Sequence, residues 1–251
     1  MADHIILEIC TDSIASSLEA ARGGAHRLEL CAALPLGGLT PSAGTIRQVR
    51  ELVALPLHVL IRPRSGDFFY SPAEFAVMRQ DIEMARELGA DGVVIGLLLP
   101  DGTIDRDRTH ELVHLARPMS VTFHRAFDVA ADPFQALDAL MDLQVDRLLT
   151  SGQQPSAPQG AALIAQLLQR AGNRLTVMPG AGIHEGNMES LMHTTGAREY
   201  HMSLGQQIGS AMTFRRPQVP MGGTLPESEY EYYQADAGRI RQILQILDIR
   251  N

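Results

Sequence analysis

Eight short runs rich in β-branched and apolar residues alternate with longer segments of helical periodicity, and this alternation leaves the chain very few folds. The runs are IILEIC (5–10), RLELC (27–31), LHVLIRP (57–63), GVVIG (92–96), SVTFH (120–124), RLLTS (147–151), LTVMP (175–179) and REYHMS (198–203). Helical patterns lie between them. SIASSLEAARGG (13–24) ends in the glycines found just past a helix. TPSAGTIRQVRELV (40–53) opens on a Thr-Pro start signal. SPAEFAVMRQDIEMARELGA (71–90) places Ser71 as cap, Pro72 in the first turn and Glu74 at the capping-box position. DPFQALDALMDL (132–143) repeats the cap-then-proline start, and a last helix is expected over 235–248, where Ile240, Ile243, Leu244 and Leu247 share a face. Eight such repeats in 251 residues imply a single-domain (β/α)₈ barrel of the TIM type. A doubly wound open sheet is the alternative, and eight uninterrupted repeats favour closure.

Composition narrows the function classes. The chain has no lysine, its 21 basic residues all being arginine, so Schiff-base aldolase chemistry, pyridoxal-phosphate catalysis and lysine-bearing phosphate loops are excluded. A net charge of −8 argues against non-specific nucleic-acid binding. No apolar run has membrane-spanning length and no signal-peptide pattern opens the chain, so a cytoplasmic location is expected, with both cysteines reduced.

Residues two apart in a strand share a face. Glu8 and Cys10 therefore point together, as do Glu29 and Cys31. Leu7, Ile9, Leu28 and Leu30 would face outward onto the helices, which puts both Glu–Cys pairs inside the barrel. An ionised carboxylate inside needs a partner. Other strand ends supply them: Arg62 and Arg64 after the third run, His124, Arg125 and Asp128 in FHRAFD, Thr150 and Ser151 after the sixth, and His201 with Ser203 in the eighth. These residues are expected to gather at the C-terminal face, where barrel enzymes place their chemistry. Glu8, Glu29, His124, Asp128 and His201 are the candidate acids and bases. Arg62, Arg64 and Arg125 would bind an anion, helped by Thr150, Ser151, Ser203 and the Gly180–Gly182 turn of PGAGIHEGN (179–187), read as a phosphate-holding turn before a helix or as a tight turn needing glycine for its backbone angles.

Cys10 and Cys31 are the only two cysteines. A buried free cysteine behaves as a small apolar residue, yet two thiols on adjacent strands about 4.8 Å apart nearly match the separation of about 4.5 Å set by two metal–thiolate bonds of about 2.3 Å. Two thiolates suit Cu(I). The two readings, space filling and soft-metal binding, both stand at this point. Met178 and Met202 are possible soft auxiliaries or core filling.

LEICTDS, RLELCAAL…GGLTPS, IRPRSGDFFYS, FHRAFD, LLTSGQ and MPGAGI followed by REYHMS resemble the CutC family of copper homeostasis proteins, in order, from residue 5 to about 205. The resemblance implies a TIM-like barrel, cytoplasmic copper handling and Cu(I) held by Cys10 and Cys31. It also implies a pocket lined by arginine, glutamate and histidine, resembling an enzyme site of unassigned reaction. Ser65 and Ala181 depart from positions where that family often has glycine.

Three readings follow: a Cu(I)-binding homeostasis protein, a barrel enzyme acting on a small anionic or phosphorylated metabolite, and a scaffold using residues 205–234 and their ESEYEYY run. That stretch is expected to be a long loop after strand eight, acting as a lid, an oligomer contact or a solvated connection. The expected partners are a copper ion or a small anion, with a homodimer as the expected assembly.

Overall fold

The computed structural model describes residues 5–219 and 229–248. Eight parallel strands form the centre: β1 (Ile6–Thr11), β2 (Arg27–Leu30), β3 (Leu57–Leu60), β4 (Gly92–Ile95), β5 (Ser120–Phe123), β6 (Arg147–Thr150), β7 (Thr176–Pro179) and β8 (Glu199–Met202). They pair in the order β7-β6-β5-β4-β3-β2-β1-β8. A bridge between Gly180 and His201 joins the two ends, so the sheet closes into the expected barrel. Among the described residues the eight α-helices are α1 (Ile14–Gly23), α2 (Ala43–Leu52), α3 (Pro72–Glu87), α4 (Arg106–Ala116), α5 (Pro133–Asp142), α6 (Ala161–Ala171), α7 (Met188–Thr195) and α8 (Ala237–Asp248).

Local chemistry sets the helix ends. Ser71 and Glu74 form the capping box that starts α3, and Gly24 takes the left-handed conformation that stops α1. The start of α2 differs from expectation. Ser42, not Thr40, is its cap, because Thr40 is held by the segment just past β3: Thr40 N donates to the Arg62 carbonyl and Arg62 N donates to Thr40 Oγ1.

The outward strand residues Leu7, Ile9, Leu28, Leu30 and Val59 belong to one large apolar layer with helix residues such as Ile46, Met78, Ile240 and Ile243. A separate small cluster of Cys10, Cys31, Leu60 and Val94 lies inside the barrel. Below it the interior is ionic. Arg27 Nε donates to Glu8 Oε2, and Arg27 Nη2 to Glu199 Oε2 at 2.6 Å. Arg147 grips Glu199 from the other side through Nε (2.5 Å) and Nη2 (3.2 Å). Two guanidinium groups against two carboxylates neutralise a filling that in most barrels is aliphatic. Arg27, Arg147 and Glu199 escaped the sequence reading, although Arg27 lies two residues before Glu29, Glu199 two before His201 and Arg147 four before Ser151.

The described residues within 205–234 include regular structure. Gly205–Gly209 and Glu231–Ala235 form an antiparallel ribbon, β9 and β10, whose Ala235 N donates to Ser16 Oγ on α1. At Gly205 a Cβ would fall 2.1 Å from the Tyr233 ring, so glycine is what allows the ribbon to close there. The Glu227–Ser228 part of ESEYEYY lies outside the described residues. Among the described residues, no helix is long and apolar enough to cross a membrane.

Candidate functional site

Strand alternation delivers the site's floor, and the short loops after the strands deliver its rim. The pairing register staggers the two Glu–Cys strands: Glu8 lies opposite Arg27, and Cys10 opposite Glu29. Cys10 and Cys31 are thus diagonal rather than side by side, and their sulfurs meet by slanting, Sγ to Sγ 3.8 Å. Cys10 Sγ also donates to Glu29 Oε1 at 3.5 Å. On the other flank of β1, His201 Nδ1 lies 2.7 Å from Glu8 Oε1 and 4.0 Å from Glu29 Oε2.

The electrostatics follow from burial and pairing. Burial alone would push the Glu8 carboxyl up, but Arg27, with His201 and His58, overrides it and holds Glu8 well below the usual carboxylate range. Glu29 lacks an arginine in contact. Burial pushes its carboxyl up, and the pull of His201 only partly offsets this. Burial would lower His201, yet Glu29 and Glu8 together raise it. The hydrogen bond with Cys31, burial and the nearby Glu29 push the Cys10 thiol well up. His58, which the sequence reading passed over, is lowered to about 4 by burial. Its ring rests on Gly92, where a Cβ would fall 2.5 Å from it.

Above this floor opens a cavity of about 430 Å³, lined by Cys10, Glu29, Leu60, Arg62, Phe68, His124, Arg125, Asp128, Gly182, His201 and Ser203 among others. Leu34, Leu36 and Gly37 from the β2–α2 loop complete the rim. Among the described residues, none from 205–219 or 229–234 lines it. Glu29 Oε2, His124 Nε2 and Arg62 Nε are buried polar atoms without a hydrogen-bond partner.

The candidates separate on this geometry. Glu8 sits beneath the cavity and reaches it through His201. Cys31 is buried behind Cys10, against Gly38. Arg62 lines the cavity, but its Nη1 donates to the Leu36 and Gly38 carbonyls and its Nη2 to Gly66 O, pinning two rim loops. Arg64 is turned away, bound to Glu74, Asp67 and three nearby carbonyls. The strand has ended at Leu60, so alternation no longer governs Arg64. Asp128 accepts from Thr150 Oγ1, from Ser151 N and Oγ, from Gln153 N and from Arg125. It organises the β6–α6 loop, with Thr150 and Ser151 as its partners rather than free ligand donors. Arg125 also donates to Ser151 Oγ at 3.0 Å. Gly180 supports the β8 bridge, while Ala181 and Gly182 take positive φ in the cavity wall. That turn does not open a helix, since α7 begins only at Met188. Met178 is fully buried and accepts from Arg27 Nη2, and Met202 packs in the outer apolar layer.

Cys10, Glu29 and His201 place one ligand atom each within 4.8 Å of one another, a spacing that could hold a metal ion.

Residues 5–206 match the CutC family. Family protein CutC of Chromobacterium violaceum is 50% identical over 97% of this chain and 98% of its own. The copper homeostasis protein cutC homolog of Mus musculus is 46% identical over 95% of this chain and 88% of its own. The CutC structure from Streptococcus agalactiae superposes with a TM-score of 0.76 at 30% identity, covering 79% of this chain and 98% of that one. A barrel of this architecture, matched along nearly its whole length by these relatives, places the chain in the CutC family.

Proposed function

We propose that the chain binds Cu(I) at the floor of the barrel mouth through Cys10 and Cys31, as a cytoplasmic step in copper handling. One observation carries the reading: the only two cysteines of the chain bring their sulfurs to 3.8 Å, with Cys10 on the cavity wall. The donor set fits the ion. Two thiolates in a largely apolar cluster prefer a soft monovalent metal. Bridging through bonds of about 2.3 Å asks the sulfurs to part by less than about 1 Å. His201 and Glu29 stand close enough to Cys10 to add a third donor. The raised Cys10 thiol must lose its proton on binding, so affinity increases with pH. A reducing compartment keeps such a pair open for metal.

Anaerobic titration against a chromophoric Cu(I) chelator should give one ion per chain. Cys10→Ser plus Cys31→Ser should abolish it, and either single change should weaken binding by about 100-fold or more, on the scale of losing one of two thiolate ligands. Unchanged stoichiometry in the double variant would overturn the proposal.

A second reading is favoured by a different observation. The Glu8–His201 pair resembles an oriented general base, and Glu29 lies beside it with one oxygen unpaired on a cavity of about 430 Å³. On this reading the mouth is an acid–base active site for a small metabolite. A thermal-shift screen of small phosphorylated and carbonyl metabolites should then find a stabilising ligand whose effect disappears in His201→Asn. A featureless screen would count against it.

A further inference from the structure

His124 carries chemistry different from that of the other titratable groups at the mouth. Its Nδ1 accepts a hydrogen bond from Ala126 N at 3.1 Å. An accepting Nδ1 has its lone pair free, so the ring proton of the neutral imidazole sits on Nε2. That Nε2 is buried and has no partner in the protein, while the residue, 6% exposed, lines the cavity. The ring cannot turn to find one. At Gly96 a Cβ would fall 2.2 and 2.3 Å from its Cε1 and Nδ1, and the Phe68 ring stands 5.0 Å away. Burial, with the Arg62 guanidinium, lowers the ring to about 3, so it stays uncharged at neutral pH. A fixed, neutral N–H donor left unpaired in a cavity wall calls for an acceptor oxygen supplied from outside the protein.

The identity of that oxygen can be narrowed. A phosphate group would need several free cationic donors. Here Arg64 is turned away, both Nη atoms of Arg62 are spent on carbonyls, and Arg125 is held by Asp128 and Ser151. A carbonyl oxygen needs only one good donor. A neutral imidazole N–H, being a weak acid, stabilises a developing enolate without giving up its proton.

We infer that the cavity takes a small α-hydroxy aldehyde or ketone whose carbonyl oxygen accepts from His124 Nε2–H, and that His124 stabilises the enolate formed there. This rests on the acid–base reading of the mouth. The C–H bond next to the carbonyl breaks and its proton passes to His201. The electron pair becomes a C=C bond, and the carbonyl π pair moves onto the oxygen held by His124. Return of the proton from His201 to the same carbon restores the starting compound. Its return to the former carbonyl carbon, together with passage of the neighbouring hydroxyl's proton to the enolate oxygen, gives the aldose–ketose isomer, with no oxidant or reductant required.

The test is deuterium wash-in. The full chain is incubated in D₂O with glycolaldehyde, dihydroxyacetone, glyceraldehyde and erythrulose, and loss of the α-proton signals is followed by NMR. Wild type should accelerate exchange for at least one probe. His124→Phe should reduce that exchange by 100-fold or more with an unchanged melting temperature, and His124→Gln, which keeps a donor, should recover part of it. Nitrogen-15 NMR of the resting protein should show His124 neutral with its proton on Nε2 from pH 5 to 8. Exchange that needs His201 but survives in His124→Phe would overturn the role of His124 and leave the acid–base reading intact. Absence of exchange with every probe would overturn both.

Discussion

Replacing Arg27 by alanine costs the barrel about 3–5 kcal/mol, the usual loss when one partner of a buried ion pair is removed. Arg27 is 7% exposed and serves two carboxylates, Glu8 and Glu199, from inside the closed sheet. Glu199 retains Arg147, but Glu8, wholly buried, keeps only the imidazoles of His201 and His58. In a chain of this size the melting temperature should fall by about 10 °C. Adding Glu8→Gln to the variant should return part of that loss, because the stranded charge is gone. Arg106→Ala, which breaks an exposed pair with Asp142, should leave the melt almost unmoved. Thermal unfolding of the four proteins checks the ordering. Equal effects for Arg27→Ala and Arg106→Ala would contradict the neutralising role assigned to the interior network.

Acidification should begin to destabilise the protein above the range in which its carboxylates titrate. His58 and His124 are lowered from 6.5 to about 4 and about 3, mainly by burial. Unfolded, both would charge near pH 6.5. The unfolded chain therefore binds more protons from about pH 6.5 downward, and stability falls as pH falls. The loss runs until each folded value is passed, reaching about 3 kcal/mol for His58 and about 5 kcal/mol for His124. Glu8, lowered in the fold, adds its own loss below pH 4.5. His201 and Glu29 act in the opposite sense. Both are raised, so their contributions are present at low pH and fade as pH rises through their folded values, His201 above 6.5 and Glu29 above 4.5. Stability should therefore peak near neutrality and drop steeply on the acid side. Urea midpoints at pH 7.0, 5.5 and 4.5 measure this, and His124→Phe should flatten the slope. A midpoint constant from pH 7 to 4.5 in wild type would contradict the buried neutral imidazoles.

Much of this architecture is legible in the residue string, and its limits are physical. Strict alternation in LEIC and RLELC is enough to turn Glu8, Cys10, Glu29 and Cys31 inward, since Leu7, Ile9, Leu28 and Leu30 need the helix layer. The same rule, carried one step back from Glu29 and His201 and two steps back from Ser151, reaches Arg27, Glu199 and Arg147, the missed members of the network. Register is what alternation does not encode. Barrel closure staggers neighbouring strands, so the two look-alike segments are offset and Cys10 faces Glu29 rather than Cys31. Past a strand's last residue the rule lapses altogether. Arg62 and Arg64 appear equivalent in IRPRSGDF, yet only Arg62 lines the cavity. Satisfaction of polar groups is equally invisible in sequence: Asp128 and Arg64 are fully engaged within the protein, while Glu29 and His124 keep unpaired atoms. The ribbon of β9 and β10 was hidden because its two strands lie more than twenty residues apart, with no short turn between them to signal a hairpin.

The proposal that most defines this chain is that its two thiols act together on one soft ion. X-ray absorption at the copper edge of the Cu(I)-loaded full chain tests it most directly. The account predicts a first shell dominated by two sulfurs at about 2.2–2.3 Å, the range of thiolate–metal bonds, converting to one sulfur in either Cys10→Ser or Cys31→Ser. A shell of nitrogen and oxygen alone, or a spectrum indifferent to both substitutions, would contradict it.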